Sequence, residues 1–202
     1  MNPPAQFSVT GPHLGPPARL AIPSARHLAT DGVSVAYVAA GATLHVVDLA
    51  DRGRPALLTS LVFRSDIDFV ELRGTTLLVG EHGRAIDFVD VSDPARPRWF
   101  ECLLAFGAHV YPGVVSTGDR LVVPLNWEGV GLCDVADPAR SRWLARVKLD
   151  QGYVEHVAVA DGKVFAAGAS GGLRVFAIDG ESLVEVARPG GPGFHATAVH
   201  RV

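Results

Sequence analysis

The chain has 202 residues, 48% hydrophobic and 19% charged, enough for one domain with a substantial core and too apolar for a disordered segment. The formal net charge is −3, the only lysines are Lys148 and Lys163, and the arginines are scattered; nucleic acids require a clustered basic face, so no nucleic-acid partner is expected. No apolar run approaches a membrane span, and Met1-Asn2-Pro3-Pro4-Ala5-Gln6 lacks the basic-then-apolar order of a leader, so the expectation is a cytoplasmic protein that does not enter a membrane.

The two cysteines, Cys102 and Cys133, are isolated from each other and give neither a disulfide framework nor a zinc-ligand spacing. Both read as small core residues.

From the N-terminus, Phe7-Ser8-Val9, a Gly-Pro turn and Ala18-Arg19-Leu20-Ala21-Ile22 read as two strands. A repeat then begins. Its first copy runs from His27 through Ala36-Tyr37-Val38-Ala39 to Leu44-His45-Val46-Val47-Asp48-Leu49. The second has Asp68 to Gly74, Leu77-Leu78-Val79 and Ile86-Asp87-Phe88-Val89-Asp90-Val91. The third has Val114-Val115, Leu121-Val122-Val123 and Val130-Gly131-Leu132-Cys133-Asp134-Val135. The fourth has His156-Val157-Ala158-Val159, Val164-Phe165-Ala166 and Leu173-Arg174-Val175-Phe176-Ala177-Ile178. Anchored on Asp48, Asp90, Asp134 and Ala177, the copies are separated by 42, 44 and 43 residues.

Each copy predicts four short antiparallel strands. The first two are joined by a glycine hairpin (Asp31-Gly32, Arg73-Gly74, Thr117-Gly118, Asp161-Gly162). After the third strand comes a turn, Asp93-Pro94 or Asp137-Pro138 in two copies, and then an outer strand carrying Trp99 or Trp143. Both tryptophans are expected between blades. Four strands per repeat of this length is the pattern of a propeller blade. The fold expected is all-β: a small β-propeller of one domain over residues 1–202. Its blades span 24–64, 65–106, 107–149 and 150–189, with a fifth split between 1–23 and 190–202 that closes the ring. The competing reading is a piece of a six- or seven-bladed ring.

The second and third copies resemble the LVIVD repeat. Phe88-Val89-Asp90-Val91-Ser92-Asp93-Pro94 follows its pattern closely, and Leu132-Cys133-Asp134-Val135-Ala136-Asp137-Pro138 nearly so. The first copy has Arg54-Pro55 in place of Asp-Pro, and the fourth has lost the proline. The resemblance implies a propeller and little about activity.

In a propeller, loops entering the inner strand and loops joining the second and third strands share the face around the channel mouth. At the entries stand His27, Asp68, His156 and His195, read as matching positions, with Tyr111 and His109 in the third blade and Glu155 and Tyr153 alongside. The second loop set brings Glu81-His82 and Asn126-Trp127-Glu128. Histidines beside carboxylates suit general acid–base catalysis. The catalytic candidates are therefore His27, Asp68, His109, His156, His195 and Glu155, and the pocket candidates Glu81, His82, Tyr111, Trp127, Glu128 and Tyr153. His27, His156 and His195 could also hold a divalent metal, the one cofactor considered, although no short metal-ligand spacing occurs. Each histidine could equally serve a structural hydrogen bond between blades.

The expected function is a small-molecule-binding propeller with lyase, isomerase, cyclase or hydrolase chemistry at the channel mouth. The alternative is a non-catalytic scaffold for a protein or glycan. Gly168-Ala169-Ser170-Gly171-Gly172 precedes no helix and lacks a nucleophile motif, so it reads as a connection.

Overall fold

The computed structural model describes residues 19–104, 113–189 and 196, with backbone alone at 101–104. Among the described residues, sixteen strands form four four-stranded sheets, each a meander in chain order. The first holds β1 (Ala25–Thr30), β2 (Val35–Ala40), β3 (Thr43–Asp48) and β4 (Ala56–Val62). The second holds β5 (Ile67–Arg73), β6 (Thr76–Glu81), β7 (Ala85–Asp90) and β8 (Arg98–Leu104). The third holds β9 (Val115–Thr117), β10 (Arg120–Pro124), β11 (Val130–Asp134) and β12 (Arg142–Val147). The fourth holds β13 (His156–Ala160), β14 (Lys163–Ala167), β15 (Leu173–Asp179) and β16 (Ser182–Ala187). One 3-10 turn, Pro138–Arg140, is the only helical element among the described residues. No described helix is long and apolar enough to cross a membrane.

The chain divides into two compact units: Met1–Glu81 with Asp87–Phe100, and His82–Ile86 with Glu101–Val202. In the first unit, Val35, Tyr37, Leu44 and Val46 of the first sheet pack with Ile67, Leu77, Val79 and Val89 of the second. The opposite face of the first sheet, Ala36, Val38 and Val47, is covered by Ile22, with Leu20 beside it. In the second unit, Val122, Val130 and Leu132 of the third sheet pack with Val157, Val164, Ala166 and Phe176 of the fourth. Central strands are thus apolar on both faces, as stacked sheets require.

The repeat is visible in the hydrogen bonds. Asp48, Asp90 and Asp134 each accept, through Oδ1, the amide two residues on, at 2.8, 2.9 and 3.1 Å. Asp51, Asp93 and Asp137 do the same for Gly53, Ala95 and Ala139 at 2.9, 3.1 and 3.0 Å. Two successive aspartate-capped turns therefore carry the chain to the outer strand in the first three repeats. The fourth replaces both with a two-residue hairpin, Gly180-Glu181, with Gly180 at φ 56°. A bulge recurs between the third and fourth strands, at Val46/Val47, Leu132/Cys133 and Val175/Phe176, and adds local twist.

The hairpins joining first and second strands differ more than the sequence suggests. Those at Gly74-Thr75, Gly118-Asp119 and Asp161-Gly162 have two-residue turns. Between Thr30 and Ala36 lies a longer loop, organised by Asp31, whose Oδ1 accepts the amides of Val33, Ser34 and Val35 at 2.8, 2.8 and 2.9 Å. Trp99 rests on Phe63 (centroids 5.5 Å apart), the inter-blade place expected. Trp143 lies over Gly131 of its own sheet, where a Cβ would stand 2.3 Å from the ring. Cys133 is buried, which pushes its thiol well above the ordinary range against the opposing Arg146 charge. The side chain of Cys102 lies outside the described residues.

Candidate functional site

One backbone motif positions the strand entries. In the second unit, Asn126 ends β10's turn toward β11, and it exchanges backbone bonds with Val154, just before β13: Asn126 N to Val154 O at 2.9 Å and the reverse at 3.0 Å. Ala169, in the next such turn, does the same with Ala196, at 2.8 and 3.2 Å. The two turns are built alike: Leu125 N bonds Gly129 O and Gly168 N bonds Gly172 O, both at 2.8 Å. Asn126 (φ 50°) and Ala169 (φ 47°) both sit in the left-handed region. For alanine that conformation is unfavourable and is held by the surrounding bonds. In the first unit, Ile67 N donates to Gly41 O at 2.9 Å, a simpler form of the same tie.

These ties set the register between repeats. Ile67 and Val154 both stand six residues before the end of the following strand, Arg73 and Ala160. His27 pairs with Ala39, Phe69 with Gly80 and His156 with Ala167. His27, Phe69 and His156 are therefore the matching positions, and the third repeat has Gly113 there when its register is extended. Asp68 is one residue earlier, on a bulge between Ile67 and Phe69, and corresponds to Glu155. His195 precedes Ala196 as Tyr153 precedes Val154, so it aligns with Tyr153 rather than His156. His109, Tyr111 and His195 themselves lie outside the described residues.

The first unit brings His27 and Asp68 together. His27 is half-buried, and burial lowers its pKa; the Asp68 charge opposes that shift and Arg26 adds to it. A neutral imidazole beside a carboxylate is the resting form of a general base. Glu81 is only 2% exposed. Its Oε2 accepts the amides of Arg64 and Ser65 at 2.6 and 2.8 Å, so this carboxylate holds the loop between β4 and β5.

The second unit brings Trp127 and Tyr153 together, with ring centroids 4.9 Å apart and planes at 56°. Trp127 is 62% exposed, and its amide donates to Asn126 Oδ1 at 2.9 Å. Glu128 pairs with Lys148 at 2.9 Å. His156 packs against Gly113, where a Cβ would lie 3.8 Å from its Nδ1. His82 is exposed in the turn between β6 and β7. Within either unit, no three described His, Cys, Asp or Glu side chains converge as metal ligands would.

A group that sequence reasoning missed braces this region. Arg174, with 4% of its side chain exposed, binds Asp150, Glu185 (3.1 Å) and the carbonyl of Gly171 (3.1 Å). Arg188 bonds the same two carboxylates, Asp150 at 3.0 Å. Donation from Arg174 and then Arg188 pulls the Asp150 carboxyl down to about 2. The loop before β13 and the turn before β15 are thereby fastened together; Gly152 and Gly171 permit the contact, since a Cβ at either would meet backbone at 2.0 and 2.2 Å. The only sequence signal was an arginine at an inward strand position.

No family model matches the chain, and no curated protein matches it. Solved structures do. The computationally designed Ika8 protein superposes with a TM-score of 0.69 at 14% identity, covering 89% of this chain and 53% of that one. The fold is that of a β-propeller repeat protein. A Bacteroides uniformis protein provisionally assigned as a 6-phosphogluconolactonase gives 0.68 at 13% identity, covering 85% and 58%. The N-terminal domain of Nup159 gives 0.58 at 16%, covering 84% and 45%. The chain thus spans about half the length of these three structures. At such identities the likeness concerns the blades alone.

Proposed function

We propose that this propeller binds a small molecule through its strand-entry loops. The carrying observation is the Trp127–Tyr153 pair: a large aromatic, 62% exposed, held on a turn whose main chain is fixed by two bonds to Val154. An exposed aromatic on a rigid turn offers binding area at little entropic cost. His27 beside Asp68 supports acid–base chemistry, of lyase, isomerase, cyclase or hydrolase type, at the equivalent entry of the first unit. His156 and Glu155 would serve likewise, and His109, His195 and Tyr111 join the proposal from sequence position alone. A thermal-shift screen of the full chain against a metabolite library tests the reading. A stabilising compound should lose its effect in Trp127→Ala or His27→Ala. Compounds that stabilise wild type and both variants equally would overturn it.

We further propose an LVIVD-type array of five blades. Ala196 meets Ala169 as Val154 meets Asn126, which supports a further repeat beginning there, and Ile22 covers the free face of the first sheet where a preceding blade would pack. Removing residues 1–23 should lower the melting temperature by several degrees; an unchanged value would sink the closure by the N-terminal segment.

The second reading is an interaction scaffold. Leu57 and Val62 on β4, Trp99 on β8, and Val184 and Val186 on β16 are exposed apolar side chains of outer strands. Concentration-dependent association in sedimentation, lost in Val62→Lys or Val184→Lys, would favour it.

A further inference from the structure

The chemistry around Trp127 narrows the ligand, and the inference rests on the small-molecule reading above. Trp127 and Tyr153, inclined at 56°, form a corner in which two π faces can meet one group. Tyr153 and Glu155 flank Val154, which is extended and buried. Residues two apart in an extended segment share a face, so Glu155 stands on the side of Tyr153.

The charges there are unevenly matched. Glu128 is paired with Lys148 at 2.9 Å. Asp150 is occupied by Arg174 and Arg188. Glu155 makes no hydrogen bond or ion pair among the described residues. One carboxylate without a partner among the described residues, beside two aromatic faces, is the chemistry that receives an organic cation. The rings attract positive charge through their quadrupoles, and the carboxylate adds a long-range term.

We propose that Trp127, Tyr153 and Glu155 form a binding site for an alkylated ammonium group, such as the head of choline or a methylated amine. Asn126 acts through Trp127, fixing its amide and the turn. A neutral sugar could stack on the same tryptophan and hydrogen-bond Glu155, but it carries no positive charge for the ring faces and the carboxylate to attract together.

The test is titration of the full chain with choline, with dimethylbutanol as its uncharged isostere, and with neutral oligosaccharides, read by calorimetry and tryptophan fluorescence. Choline should bind saturably, and the isostere about tenfold more weakly. Trp127→Ala should weaken choline about tenfold or more, Glu155→Gln severalfold, and Trp127→Phe only slightly. Thermal melting of each variant checks that the fold is kept. Equal binding of choline and its isostere, choline binding indifferent to Trp127→Ala, or no saturable choline binding would overturn the proposal. An oligosaccharide or another library compound that binds and is lost in Trp127→Ala, with no choline response, would overturn the cation class while leaving the small-molecule reading intact.

Discussion

The guanidinium of Arg174, on β15, donates to Asp150 in the loop before β13. It is the buried centre of a four-member group with Glu185 and Arg188. A buried cation between two carboxylates is worth most when all partners are present, because each loss leaves a charge uncompensated.

Replacing Arg174 with methionine should therefore destabilise the chain by about 1–3 kcal/mol in urea unfolding. The Trp127 side chain should also become more accessible to acrylamide, because the loop leading to Tyr153 is released.

Asp150 predicts a pH signature. Its folded pKa is lowered from 3.8 to about 2, so its contribution is fully present above 3.8 and is lost as pH falls through about 2. The share is modest, because the carboxylate is largely exposed. Acid unfolding of Asp150→Asn should lack the part of the wild-type slope that lies in that window.

His27 shifts in the same sense, in a higher pH window. Its folded pKa lies below 6.5, so the stability linked to it is present above 6.5 and is lost as pH falls through the folded value. Asp68 raises that pKa, so Asp68→Asn should move the His27 resonance to a still lower midpoint in an NMR titration. An unchanged midpoint would show that the two side chains do not face each other.

Asn126 holds φ 50°. Asn126→Val should cost about 1–3 kcal/mol, since a β-branched residue resists the left-handed region. Asn126→Gly should cost less than about 1 kcal/mol, since glycine accepts that backbone and only the bond to the Trp127 amide is lost.

Gly131→Ala would place a methyl group 2.3 Å from the Trp143 ring and 2.9 Å from Leu125. Overpacking should destabilise by about 1–3 kcal/mol and shift the Trp143 emission.

The repeat was legible in sequence because its strands and aspartate turns are local: each Asp bonds an amide two residues away, so spacing alone reveals the turn. The strand entries were not fully legible. Matching by residue type set Asp68 beside His156 and His195, but a bulge at Ile67/Phe69 makes Phe69 the partner of His156 in register, and the Ala196 bridge shifts His195 by three positions. Bulges and bridges are decided by pairing, which residue identity does not encode. The anchoring role of Glu81, and Arg174 altogether, were hidden for a related reason: their partners are 17 and 24 residues away, on elements brought together by folding.

The ties between Asn126 and Val154, and between Ala169 and Ala196, use main-chain atoms only. The same socket accommodates a tryptophan after Asn126 and a serine after Ala169. What the turn displays is thus independent of what holds it. Exchanging Trp127 and Ser170 would move the aromatic from one socket to the next while the scaffold stayed put, so the specificity of this face can be rewritten letter by letter without recomposing the fold.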